Sequence, residues 1–205
     1  MDICVQSDFQ DYYDKFCSNQ GIIYRRYRNE SLQRGKALSK LREFGVKTIE
    51  IKQVSQIIRA EASKVVVYTD VYGHSSKGKK LMDLDEALAL YPNTPASIWY
   101  DAGGITLKVV QIGVRRYRLW FRREHDGLGL GEFRKIERLD DFPNKLIRLP
   151  IFSIDYIPYG DLMLATDFNQ VEELGKLGFD RWITGDEVVK EISNVMEIYN
   201  YVPEK

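Results

Sequence analysis

At 205 residues the chain is long enough to bury a sizeable core, in one domain or in two small subdomains. Its 44% apolar and 29% charged residues are ordinary for a globular protein, and no apolar run reaches the roughly 18–20 residues that span a bilayer. Basic and acidic residues number 30 each, so no net field exists to recruit nucleic acid or an anionic membrane. The N-terminus lacks the basic-then-apolar pattern of a signal peptide. Cys4 and Cys17 lie in segments that read as core, which points to reduced thiols and a cytoplasmic setting.

Residues 2–6 read as a short strand, and Asp8 caps a helix carrying Phe9, Tyr12, Tyr13 and Phe16 that ends at Gly21. Ile22–Arg28 is β-prone. Its Arg25, Arg26 and Arg28 alternate with Tyr24 and Tyr27, a mixture able to stack on bases, but a solvated strand face is the plainer reading at zero net charge. Ser31–Phe44 is a helix with Leu38, Leu41 and Phe44 at three-residue spacing, and Gly45 stands at its C-terminal cap. Thr48–Ile51 is expected as a strand, Val54–Ala62 as a short amphipathic helix with Ile57 and Ile58 inward, and Lys64–Thr69 as a strand.

Residues 70–80 form a polar loop. Gly73 and Gly78 lie among Ser75, Ser76, Lys77 and Lys79, and exposed N–H groups beside lysines suit a phosphate cradle. The spacing is not that of a P-loop, and a plain hairpin connection is the alternative. His74 and His125 make no metal-binding spacing. Asp83 caps a helix over Leu84–Tyr91 that Pro92 closes. Strands follow at Ala96–Tyr100 and Ile105–Ile112, separated by the Gly103-Gly104 turn. Gly113-Val114 turns into Arg115–Arg123, whose arginines divide between the two faces, so no continuous nucleic-acid stripe emerges. A glycine-rich loop spans 124–131, Glu132–Arg138 is a further strand, and 139–150 is a connection. A short helix is expected over Val171–Leu177. Thr184-Gly-Asp-Glu187 is a capping box that launches a terminal helix to about Tyr199, with Val188, Ile192, Val195 and Met196 inward.

The stretch with most chemistry in it is 151–170, a hairpin of largely apolar strands with Asp155 on the first and Asp167 and Asn169 on the second. Ionised carboxylates are costly in such surroundings unless they are paired or hold a metal. Asp167 and Asn169 are two apart and share a face. A three-residue loop, Tyr159-Gly160-Asp161, puts Asp155 on that face too, diagonal to Asp167. A two-residue loop slips the register by one and sends Asp155 to the other face. The alternative reading of the hairpin pairs Asp155 with an arginine of 115–123 and has Asp167 cap the turn into 170–177.

In this order the elements resemble the ATP-grasp superfamily in a short, divergent form. The resemblance rests on Gly35-Lys36-Ala-Leu-Ser-Lys-Leu-Arg-Glu-Phe-Gly45-Val-Lys-Thr48, on the strand–loop–helix order of Lys64–Tyr91, on Leu107-Lys108-Val-Val-Gln-Ile-Gly113, and on Asp155 followed by Asp167-Phe168-Asn169. The chain departs from the family in carrying tyrosine at 68, where the family's strand lysine is expected, in aspartate at 167, and in lacking Pro-Gly after Asn169. The implied fold is α+β, with mostly antiparallel sheets flanked by helices and a small N-terminal α/β segment. The implied division is 1–35, a small subdomain 36–95, and a larger one 96–205 holding the metal hairpin.

The resemblance implies an ATP- and Mg²⁺-dependent ligase-like enzyme that activates a carboxylate as an acyl phosphate for an amine or similar nucleophile. Asp155, Asp167 and Asn169 would hold Mg²⁺. Lys64, Lys77, Lys79 and Lys108 would meet the nucleotide, and Arg122 with Lys108 would act on the phosphates. The partners implied are ATP and a small-molecule or peptide acceptor. The alternatives are a catalytically inactive nucleotide-binding or interaction module of the same fold, and a nucleic-acid-binding protein using Arg25–Arg28 and Arg115–Arg123.

Overall fold

The computed structural model describes residues 34–70, 78–122, 128, 131–139, 151–169, 182–184, 186–188, 190, 191 and 194. The expected elements before Arg34, the helix at 171–177, both cysteines, both histidines and Lys77 lie outside the described residues.

Helix α1 runs Arg34–Glu43. Its Ala37, Leu38 and Leu41 are buried, each leucine contributing about 2 kcal/mol of apolar burial. The helix stops as its sequence requires. Val46 N–H donates to Leu41 O at 3.1 Å and Gly45 N–H to Arg42 O at 2.8 Å, the paired bonds of a Schellman cap. Gly45 takes φ +80°, which only glycine adopts cheaply.

The strands form two antiparallel sheets. The smaller has the order β1-β4-β2-β3, from Lys52–Gln53 (β1), Lys64–Tyr68 (β2), Lys79–Asp83 (β3) and Pro95–Ile98 (β4). Val65 and Val67 of β2 point to one side and build a core with Val54, Ile57, Ala96, and Leu84 and Ala87 of helix α2 (Leu84–Leu90). The larger has the order β7-β6-β5-β8-β9, from Ile105–Ile112 (β5), Arg115–Arg122 (β6), Glu132–Leu139 (β7), Ile151–Tyr159 (β8) and Leu162–Asn169 (β9). Leu38, Leu41 and Ile49 join its core beside Val110, Leu119, Ile154 and Ala165. This is the α+β architecture of antiparallel sheets and few helices that the element order implies.

Several local expectations are corrected. Thr48–Ile51 makes no strand of its own. Thr48 forms a single parallel bridge with Ala165, and the paired strand begins at Lys52. Helix 54–62 reduces to a 3₁₀ turn at Val54–Gln56, and Ile58, expected inward, is 60% exposed while Ile57 is buried. The lone apolar pair Ile57-Ile58 cannot sustain a helical stripe over so short a run. Lys79 and Lys80, expected in the loop, instead open the strand Lys79–Asp83, because all five of its residues pair with Lys64–Tyr68. The terminal capping box forms as expected: Thr184 N–H donates to Glu187 Oε2 at 2.9 Å and Glu187 N–H to Thr184 Oγ1 at 3.3 Å.

Candidate functional site

The β8–β9 hairpin closes through two residues, Gly160 and Asp161, since Tyr159 pairs with Leu162. The expected three-residue loop is therefore wrong. Gly160, at the first central position, has the φ of +56° that tight hairpin turns require. Yet the slip in register that this turn imposes does not reach the carboxylates. Tyr156 pairs with Ala165 and Asp155 with Asp167, leaving Thr166 as an extra residue in β9. This bulge restores the parity, because side chains alternate faces and one inserted residue flips everything beyond it.

The bulge has support on both sides. Thr166 Oγ1 donates to Asp155 O at 3.2 Å. On the outer edge of β9, Ala165 N–H donates to Lys47 O at 2.8 Å and Ile49 N–H to Ala165 O at 3.0 Å. The segment after α1 thus covers the exposed edge beside the bulge and fixes it. Asp155 ends directly across from Asp167 rather than diagonal to it.

Register carries the row further. Lys108 of β5 is opposite Asp155, so Lys108, Asp155 and Asp167 stand side by side on one face across three strands. Ser153 and Asn169 form the next row on that face. Lys108 is buried, with Nζ 2.9 Å from Asp155 Oδ1 and donating to Ser153 Oγ at 3.2 Å. An isolated ammonium is not tolerated at such depth, and the carboxylate is its compensation. Among the described residues the ion pair of Asp155 is with this lysine rather than with an arginine of β6.

Asp167 meets a cation from outside the sheet. Arg34 Nη1 lies 2.9 Å from Asp167 Oδ2 and donates to Thr166 O at 2.8 Å. Its Cζ is 5.4 Å from the ring centroid of Tyr68 on the smaller sheet. The Tyr68 hydroxyl is 3.0 Å from Ser97 Oγ in a buried bond. Burial pushes this phenol above its usual range, while Arg34 and the Ser97 bond pull the other way. Asp167 therefore braces the bulge and the first described turn of α1, and the turn into 170–177 that it was also expected to cap lies outside the described residues.

The remaining residues singled out in the sequence divide. Lys64 and Lys79 belong to the smaller sheet on the Tyr68 face: Lys79 is the direct partner of Tyr68, and Lys64 is four residues back along β2. Arg122 pairs with Ile105 and so lies on the opposite face of the larger sheet from Lys108. The structure does not bring Arg122 to the carboxylates. Its face also holds Arg116, Arg118 and Trp120, while among the described arginines of β6 Arg115 is on the other, pairing with Glu191 at 3.0 Å.

Arg34 was missed by motif reasoning, yet a signal exists. Positions 34, 37, 38 and 41 are one helical face, so Arg34 extends the buried apolar stripe of α1 by one turn. An arginine on an apolar face needs a buried partner.

Two carboxylates and an amide on one face suit Mg²⁺, which prefers one or two carboxylates with water and phosphate oxygens completing its shell. Among the described residues no group of three His, Cys, Asp or Glu gathers to hold a metal by protein ligands alone. The donor set fits an ion that arrives with an anionic ligand.

No protein-family model matches the sequence, and a search of curated proteins gives no match. Solved structures do match. N5-carboxyaminoimidazole synthetase from Staphylococcus aureus, solved with ADP, superposes with a TM-score of 0.53 at 13% identity over 78% of this chain and 52% of its own. D-alanine–D-alanine ligase from Bacillus anthracis, solved with ATP, gives 0.48 at 11% identity over 91% and 74%. Macrocyclase MdnC from Microcystis aeruginosa, bound with precursor peptide MdnA, gives 0.49 at 18% identity over 91% and 71%. The chain thus spans about half the length of the synthetase. With its two antiparallel sheets and the carboxylate hairpin inside the larger one, the chain has the ATP-grasp fold.

Proposed function

We propose that the chain is an ATP-dependent, ligase-like enzyme that uses Mg²⁺, with its nucleotide held between the Tyr68 face of the smaller sheet and the Asp155–Asp167 face of the larger. The observation that carries this reading is the direct pairing of Asp155 with Asp167 across a bulge. The superposition on a synthetase solved with ADP supports it at the level of fold. The two sheets, with the helices packed on each, would be the two halves of the grasp. A cytoplasmic setting, where ATP and Mg²⁺ are plentiful, suits the reading. Among the described residues no helix is long and apolar enough to cross a membrane.

In the reaction proposed, a carboxylate oxygen of the acceptor attacks the γ-phosphorus of ATP and ADP leaves. A nucleophile, an amine in the simplest case, then attacks the acyl carbon and expels phosphate. Such chemistry is mainly positioning and charge neutralisation. Bound Mg²⁺, held by Asp155, Asp167 and Asn169, would offset the phosphate charge. Lys108 would hold the Asp155 carboxylate along the row. Lys64, Lys79 and Lys77 are the lysines that would meet the nucleotide from the smaller sheet and its loop.

The test is ATP binding by calorimetry with and without Mg²⁺, for the native chain and Asp167→Ala, followed by an ADP-release assay. Mg²⁺-dependent binding lost in the variant supports the site, and ADP release supports turnover. No binding by a folded native chain rejects the reading. A second reading, nucleotide binding without turnover, is favoured by one observation: both carboxylates already have a cation of the chain as partner. It predicts binding with no ADP released.

A further inference from the structure

Arg34 touches both sheets at the hairpin. Its guanidinium bonds Asp167 Oδ2 and Thr166 O on the larger sheet and lies over the Tyr68 ring of the smaller. The ring is a fixed platform, since Tyr68 is buried and its hydroxyl is tied to Ser97.

The two ion pairs of the row differ in depth. In the Lys108–Asp155 pair the side chains are 4% and 18% exposed, and Ser153 adds a further bond, so the pair is closed. In the Arg34–Asp167 pair they are 15% and 27% exposed. The second pair is the more exposed of the two, so separating it costs less than separating the first.

We propose that Arg34 is an internal counter-ion that a divalent cation displaces from Asp167. Empty, the site is neutralised by the chain itself, with Lys108 on Asp155 and Arg34 on Asp167. On loading, Asp167 exchanges the guanidinium for the external cation. Arg34, still stacked on Tyr68, turns its donors to the anionic ligand that accompanies the ion. Because the same guanidinium links α1, the hairpin and β2, loading also releases a tie between the two sheets, so metal affinity and sheet contact are linked. This inference rests on the reading under Proposed function that Asp155 and Asp167 face a metal–nucleotide site.

The experiment titrates the full chain with Mn²⁺ alone, following free Mn²⁺ by electron paramagnetic resonance, and repeats the titration with ATP present. Native chain, Arg34→Gln and Asp167→Asn are compared, each checked for folding by circular dichroism. Removing a competing ion pair of this exposure should tighten Mn²⁺ binding about fivefold in Arg34→Gln. It should weaken binding of the ATP–Mn²⁺ complex, since the guanidinium no longer meets the phosphates, and Asp167→Asn should weaken both. Should Arg34→Gln fail to fold, Arg34→Met, which keeps the stem over Tyr68, is read for the same two changes. Mn²⁺ affinity unchanged or reduced in the arginine variant, with ATP–Mn²⁺ still bound by the native chain, overturns this inference alone. Absence of ATP–Mn²⁺ binding by a folded native chain overturns the functional reading and this inference together.

Discussion

Asp155 stands directly across the hairpin from Asp167, and among the described residues a cation meets each: Lys108 from the neighbouring strand and Arg34 from helix α1. Like charges placed opposite one another in a sheet repel, so the pair persists because these cations offset it. The two cations are not equivalent, and that difference organises the expectations for the site.

Lys108→Met should destabilise the chain by about 3–5 kcal/mol, since it leaves a mostly buried carboxylate without its charge partner. Adding Asp155→Leu should recover most of that loss, because an apolar pair of similar volume carries no desolvation cost. Urea unfolding of both variants checks it. If the double variant is as unstable as the sum of the singles, the pair is not the unit argued here.

Gly160→Val should cost about 1–2 kcal/mol, because a β-branched residue at φ +56° is strained while the space around Gly160 is open. Gly160→Asn should cost less than half of that, since asparagine tolerates the left-handed region. Equal losses for the two would place the cost in packing rather than in the backbone. Thermal unfolding of the pair separates these.

Thr184→Ala removes the hydroxyl that accepts from Glu187 N–H and donates to its carboxylate, and should cost about 1 kcal/mol. The Glu187 carboxyl is held below its usual range, first by the Thr184 backbone N–H and then by the hydroxyl. A carboxyl lowered in the folded state contributes stability present above pH 4.5 and lost as pH falls. The native chain should therefore lose stability on acidification more steeply than Thr184→Ala does, as melting curves between pH 6 and pH 3 would reveal.

At the other end of the pH range, burial raises the Tyr156 phenol to about 12, with Arg116 pulling it down. A raised pKa gives stability present below the unfolded value of 10 and lost as pH climbs through the folded one. Unfolding should become easier by up to about 2 kcal/mol between pH 10 and pH 12. Tyr156→Phe should flatten that decline, and matching slopes in the two proteins would discount the phenol.

Much of this architecture was legible from local pattern. The leucine spacing of α1 and Gly45 define a helix and its end. The apolar strands Ile105–Ile112 and Ile151–Asn169 lie where periodicity puts them, and the Asp155–Asp167–Asn169 spacing draws attention to the hairpin. Where pattern misled, the elements were short or polar. Ile57-Ile58 is too brief to show a period, and Lys79 and Lys80 read as loop although pairing with β2 makes them the start of a strand.

The amino-acid sequence by itself singled out Asp155, Asp167 and Asn169, because an ionisable or polar side chain stands out at once in apolar strands. Only the tertiary structure decided that they share a face. The two-residue turn at Gly160-Asp161 alone would have parted Asp155 from Asp167. The bulge at Thr166, fixed by the 47–49 segment on the outer edge of β9, returns them to one row. That contact joins residues more than a hundred positions apart, as does the contact of Arg34 with Asp167. Side-chain parity depends on a single residue of register, and register here is set by pairing across distances no local pattern records.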